Sequence, residues 1–134
     1  MAQKSAAVEQ FSSLAASLPP PRPERPIDLV HLARQCLGDA HLEYEILRLY
    51  DTTVKTYFGR LQLSSSYDDL ALNMHSIKGA SAGVGAFAVA NLAKAAEVEL
   101  QAGRPLSPER IDDLGLAIEE VRGFIARMLD NEPA

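Results

Sequence analysis

From residue 28 onward the apolar positions recur at spacings of three and four, and no stretch alternates with the period of two that marks a strand. The first segment, about 28–37, keeps Leu29, Leu32, Ala33 and Cys36 on one face and stops at Gly38. Asp39 is placed to cap a second helix over about 40–62, with a stripe of Leu42, Ile46, Leu49, Thr53, Tyr57 and Leu61. The serines at 64–66 end it, and Ser66 with Asp69 is spaced like a capping box for a third helix over about 67–83. Gly83 and Gly85 bracket the end of that helix. A fourth helix, about 86–102, carries Val89, Leu92, Ala93, Ala96 and Leu100 and closes at Gly103. Ser107 and Pro108 supply a cap and a first-turn proline for a fifth, about 108–130, striped by Ile111, Leu114, Ile118, Val121, Ile125 and Met128. Long amphipathic helices joined by short loops predict an all-α, antiparallel up-and-down four-helix bundle with an additional short N-terminal helix.

Residues 19–26 read PPPRPERP, a run with too few backbone donors for helix or strand interior. It predicts a polyproline-like spacer that sets a weakly helical arm (residues 3–18) apart from the main body. The expected organisation is thus an arm over 1–26 and a helical bundle over 27–134. The chain's 134 residues suffice for one core without staples. Glu9 and Gln10 interrupt the greasy centre an export signal would need, and the one cysteine, Cys36, has no internal partner, so a reducing cytoplasm is expected. A net charge of −5 argues against nucleic acid, and neither a membrane span nor a polybasic membrane patch is evident.

The chemistry concentrates in the third helix. With Leu70 as zero and about 100° per residue, Met74, Ile77, Ser81 and Val84 fall within about 40° and define the core direction. On the same wheel His75 lies near 140°, Asp68 near 160°, Gly79 near 180°, Leu72 near 200° and Ala82 near 120°. An outward helical face is ordinarily filled with long polar side chains, and an interior glycine costs roughly 1 kcal/mol against alanine. Here a histidine faces outward among a glycine, an alanine and a leucine. Bulk removed beside an exposed imidazole makes sense where another body must approach the ring. Imidazole offers a neutral nitrogen nucleophile near pH 7, and Lys78, one turn on, could stabilise negative charge acquired there. His31 and His41 lack such a setting and read as structural or solvated.

The run His75-Ser76-Ile77-Lys78-Gly79-Ala80-Ser81, followed by Val84-Gly85-Ala86, resembles the signature of histidine-containing phosphotransfer (HPt) domains. The likeness continues to Leu92 and Glu97, and the helix pattern from about 27 to 130 fits that family's bundle. The resemblance implies that His75 accepts a phosphoryl group, that Lys78 helps neutralise its oxygens, and that Gly79 leaves room for a receiver's aspartyl phosphate. It also implies that Glu97 orients the ring through its second nitrogen, where some relatives use glutamine. Asp68, Ala71, Leu72 and Ala82 are expected to border the docking surface. The implied partners are response-regulator receiver domains and a sensor or hybrid histidine kinase, with the domain itself a monomer. No cofactor or metal is expected on this chain, Mg²⁺ belonging to the partner receiver.

Rival readings fare worse. A four-helix metal carboxylate protein needs inward Glu-x-x-His pairs, which the sequence lacks. A histidine kinase needs an ATP-binding domain, for which the length leaves no room. Kinase dimerisation domains usually place an acid directly after the phospho-accepting histidine, whereas Ser76 stands there. The serious alternative is a non-catalytic adaptor, an HPt-like bundle that binds a receiver without accepting phosphate.

Overall fold

The computed structural model describes residues 25–133. The weak helix predicted over 3–18 and the spacer as far as residue 24 lie outside the described residues. Five helices follow in order: α1 (Leu29–Gln35), α2 (Ala40–Leu63), α3 (Tyr67–Val84), α4 (Phe87–Gln101) and α5 (Pro108–Asp130). The four long helices form a ring in which α3 packs between α2 and α4, and α5 closes the circle against the same two. Short α1 lies across the bundle against α2 and α3. Among the described residues there is no strand, and the up-and-down bundle with one extra short helix is the predicted architecture.

The helix starts follow from local chemistry. The side chain of Asp39 accepts from the Leu42 N–H at 3.1 Å, Ser66 from Asp69 at 3.2 Å and Ser107 from Arg110 at 3.2 Å. Each such cap stabilises its helix by about 1 kcal/mol. Inside, Leu32, Leu47, Val54, Leu61, Met74, Ile77, Val89, Ala93, Leu114, Ile118, Val121 and Ile125 are buried in one core. Cys36 joins them as the small core residue its position suggested. Burial pushes its thiol up, with the carboxylates of Glu43 and Asp39 adding to the effect.

The stripe expected on α2 requires correction. Leu61 is buried and Ile46 and Tyr57 pack half-buried against the core as expected, but Leu42 and Leu49 are exposed, at 41% and 64%, and the inward face is centred on Leu47, Tyr50 and Val54. The sequence of α2 offers two interleaved 3-4 stripes, one residue and therefore about 100° apart. Tertiary partners choose between them. The Tyr50 hydroxyl meets Ser81 Oγ of α3 at 2.6 Å in the core, while Asp51 accepts from Arg122 of α5 at 3.0 Å at the rim. Facing Phe58, α5 carries Gly115, where a Cβ would sit 3.1 Å from the ring.

The corner between α3 and α4 is tight. Gly85 ends α3 in the left-handed region (φ +88°), and the Ala86 N–H reaches back to the Ser81 carbonyl at 2.8 Å. A side chain at Gly85 would be strained by that φ and would also meet the Asp28 carbonyl at 2.9 Å. The start of α1 clasps this corner: the Asp28 N–H donates to Gly85 O at 2.9 Å, and His31 Nε2 donates to Gly83 O at 3.2 Å. The His31 ring also stands edge-on to Phe87, 5.1 Å between centroids. His31 is thus a structural histidine.

Candidate functional site

Met74, Ile77, Ser81 and Val84 are all buried, so α3 has the rotation the wheel predicted. That rotation leaves the His75 side chain 65% exposed, halfway along the helix. Its Nδ1 lies 2.7 Å from Glu97 Oε1, and the other oxygen of Glu97 lies 2.7 Å from Lys78 Nζ. Glu97 comes from α4, on the stripe shared with Ala93, Ala96 and Leu100, and is itself only 9% exposed. One carboxylate therefore holds both the imidazole and the ammonium, one with each oxygen.

This fork decides the state of the ring. A carboxylate can only accept, so Nδ1 carries the hydrogen and Nε2 of the neutral ring keeps its lone pair. Because Nδ1 is the nitrogen that faces the bundle, the nitrogen that keeps its lone pair is the one turned away from it. Burial pushes the Glu97 carboxyl upward, but the hydrogen bonds and charges of Lys78 and His75 outweigh it and hold the group below its usual value. Glu97 therefore stays ionised throughout the neutral range.

Around the ring the relief is low. A Cβ added at Gly79 would find nothing within 4 Å. Asp68, Leu72 and Ala82 are exposed, Leu72 at 64%, and Ala71 is half-buried beside them. The structure thus brings His75, Lys78 and Glu97 into one hydrogen-bonded group and sets Gly79 beside them on the open face. For Lys78 the structure adds a partner the sequence reading did not name, since its ammonium is held by Glu97. The sequence reading named each of these residues but missed the Lys78–Glu97 link. The available signal was an acid set on the otherwise apolar stripe of α4, where a buried charge needs a partner.

A family model described as Hpt domain matches residues 28–124. The chain belongs to the Hpt domain family. The HPT domain from the Hpt sensor hybrid histidine kinase of Shewanella has the same fold, with a TM-score of 0.72 over 82% of this chain and 98% of that one, at 16% identity. At that identity the likeness speaks to the bundle alone. No curated protein matches the chain. Membership carries a phosphotransfer role in phosphorelays, in company with the receiver domains and kinases of two-component pathways. Among the described residues of this Hpt domain, no helix is long and apolar enough to cross a membrane. Nor do three or more His, Cys, Asp or Glu side chains among them gather to hold a metal ion.

Proposed function

We propose that His75 accepts a phosphoryl group from the aspartyl phosphate of a receiver domain and returns it to a second receiver aspartate. The observation that supports this most directly is the Glu97 fork, which leaves the solvent-facing Nε2 as the ring's basic nitrogen. In the forward step the Nε2 lone pair forms the N–P bond while the P–O bond to the receiver's carboxylate breaks, and the aspartate leaves as carboxylate. The Nδ1 hydrogen stays on the ring. The positive charge that develops on the imidazole is met by the Glu97 carboxylate 2.7 Å away. Reversal needs only the same atoms in the opposite order, so no proton has to enter or leave through solvent.

Lys78 supplies the positive charge for the phosphoryl oxygens, and Glu97 keeps that ammonium beside the ring before the partner arrives. Gly79, Leu72, Ala82, Ala71 and Asp68 form the ground on which the receiver sits. Positioning and charge stabilisation are all that phosphoryl transfer asks of the acceptor side. On this reading Mg²⁺ is held by the receiver, the phosphate enters the relay through a sensor or hybrid histidine kinase, and the domain works as a cytoplasmic monomer.

The test is transfer from a phosphorylated receiver, with the label followed by intact-mass measurement and gel. His75→Gln should take up no label while still binding the receiver. Binding of the receiver with no label on the unmodified protein would establish the adaptor reading instead. Equal label on unmodified protein and His75→Gln would place the acceptor elsewhere.

A further inference from the structure

The hairpin of α3 and α4 carries two basic side chains besides its histidine, Lys78 on α3 and Lys94 on α4. Lys78 is tied to Glu97 at 2.7 Å, whereas Lys94 is exposed and forms no ion pair with any described residue. On a helix, a lysine and a glutamate three residues on ordinarily meet. Here that glutamate is Glu97, and both of its oxygens are taken, one by the His75 ring and the other by Lys78. The Lys94 ammonium is left without an acid among the described residues.

The fold sets this ammonium beside the ring. With Ala93 as zero and about 100° per residue around α4, Glu97 lies near about 40° and Lys94 near about 100°. Glu99, which pairs with Arg110 of α5, lies near about 240°. Lys94 is therefore on the side of α4 that faces α3, further out from the core than Glu97. The two helices run antiparallel, so three residues back along α4 is about 4.5 Å forward along α3. That step leads from the level of Glu97, between His75 and Lys78, to the level of Gly79. A Cβ at Gly79 meets nothing within 4 Å, and the exposed Ala82 adds only a methyl, so the ground between the Lys94 stem and the ring is low.

A charge count says what a cation does there. Phosphorylated at Nε2 with Nδ1–H retained, the ring is positive, and the Glu97 carboxylate answers that charge. The phosphoryl oxygens carry about two negative charges at neutral pH. Lys78 answers one of them, and one is left over. Asp68, exposed on the same face of α3, adds repulsion and no relief.

We infer that Lys94 is a second cation for the phosphoryl group: its flexible stem swings the ammonium over Gly79 onto the phosphoryl oxygens of phosphorylated His75. The contact draws the transfer equilibrium toward this domain. The inference rests on phosphate acceptance at His75.

Two measurements on the full chain test it. The first is the equilibrium distribution of label between a phosphorylated receiver and the domain at low ionic strength. Lys94→Gln should lower the equilibrium constant for transfer onto His75 about three- to fivefold, and Lys94→Arg should restore it. Salt at about 0.5 M should narrow the difference. The second measurement needs no receiver: phosphoramidate gives its phosphoryl group to the imidazole and releases ammonia. The pH midpoint of the phosphorus-31 resonance on His75 should then lie about half a unit higher in Lys94→Gln, because a nearby cation favours the ionised phosphoryl group. Equal equilibrium constants and equal midpoints, with His75 labelled in both proteins, overturn the inference and leave the proposed function standing. A slower approach to an unchanged equilibrium places Lys94 in receiver docking and overturns it as well. So does a loss that Lys94→Arg fails to restore, which marks a structural role. An unmodified protein that takes no label from either donor overturns the proposed function and this inference with it.

Discussion

Under the proposed function, Gly79 separates what the fold needs from what the partner needs. It sits in the interior of α3 with ordinary helical geometry, and a Cβ there would touch nothing within 4 Å. Replacing it with alanine should therefore cost nothing in packing and remove the backbone entropy that glycine loses on folding, a gain of roughly 0.5–1 kcal/mol. For a domain of this size that gain corresponds to a melting temperature about 2–5 °C higher. Gly79→Gln should also fold at least as well as the unmodified protein, because glutamine is a good helix former and the site opens to solvent. It nevertheless sets a long side chain beside the His75 ring, where the receiver approaches under the proposed function. Transfer from a phosphorylated receiver should slow at least tenfold, equivalent to about 1.4 kcal/mol of lost transition-state stabilisation. Urea denaturation and rapid-quench transfer on the same preparations give the two numbers. The reasoning fails if Gly79→Ala destabilises the protein, since the glycine would then serve the fold. It fails equally if Gly79→Gln transfers at the unmodified rate, since the ring would then be approached from another side.

Leu72→Glu should weaken receiver binding without loss of helicity, because it puts a charge into an apolar contact; unchanged transfer kinetics with far-ultraviolet circular dichroism intact would show the patch to be misplaced. The Glu97 carboxyl is held below its usual value, so its cluster stabilises the fold fully above the ordinary glutamate range and loses that contribution as pH falls through the depressed value. Chemical denaturation at pH 7 and pH 3 should show this loss, and Glu97→Gln should remove that part of it; an identical pH slope in the variant would refute the coupling. Ser81→Ala strands the buried Tyr50 hydroxyl and should cost about 1–3 kcal/mol, whereas the double variant with Tyr50→Phe should recover much of it, as read from a denaturant cycle. Burial drives the Tyr50 phenol up to about 12, the bond to Ser81 only partly opposing it, so ultraviolet titration should find one tyrosine that resists ionisation beyond pH 11.

The bundle was legible because each helix announces itself locally. Asp39, Ser66 and Ser107 mark the starts, Gly85 and Gly103 mark turns, and α5 repeats one unambiguous stripe. The rotation of α3 was legible for the same reason: Met74, Ile77, Ser81 and Val84 leave one direction for the core and therefore one for His75. In α2 the pattern was degenerate, and the choice between its two leucine stripes depended on Ser81 and Arg122, more than thirty residues away in the chain. The Lys78–Glu97 pair was hidden in a similar way. A wheel shows where a lysine starts but not which neighbour its flexible stem will reach. His31 gave no hint of its bond to Gly83, because a carbonyl freed at a helix end is visible only once the corner is built.

The Gly85–Ala86 corner has a consequence for how such a site could be moved between proteins. His75 and Lys78 stand on one arm of a helical hairpin and Glu97 on the other, only 22 positions after the histidine. With so short a turn between the arms, their axial register is set within the hairpin itself. Sliding one helix past the other by a single turn, about 5.4 Å, would part the carboxylate from both cations at once. The His75–Lys78–Glu97 group is therefore portable as one contiguous stretch of chain, while α2 and α5 provide the apolar wall it leans on. Grafting residues 67–101 onto another four-helix scaffold should carry the ring, its orientation and its ammonium together, so the outer faces of α2 and α5 remain open to change without touching the chemistry.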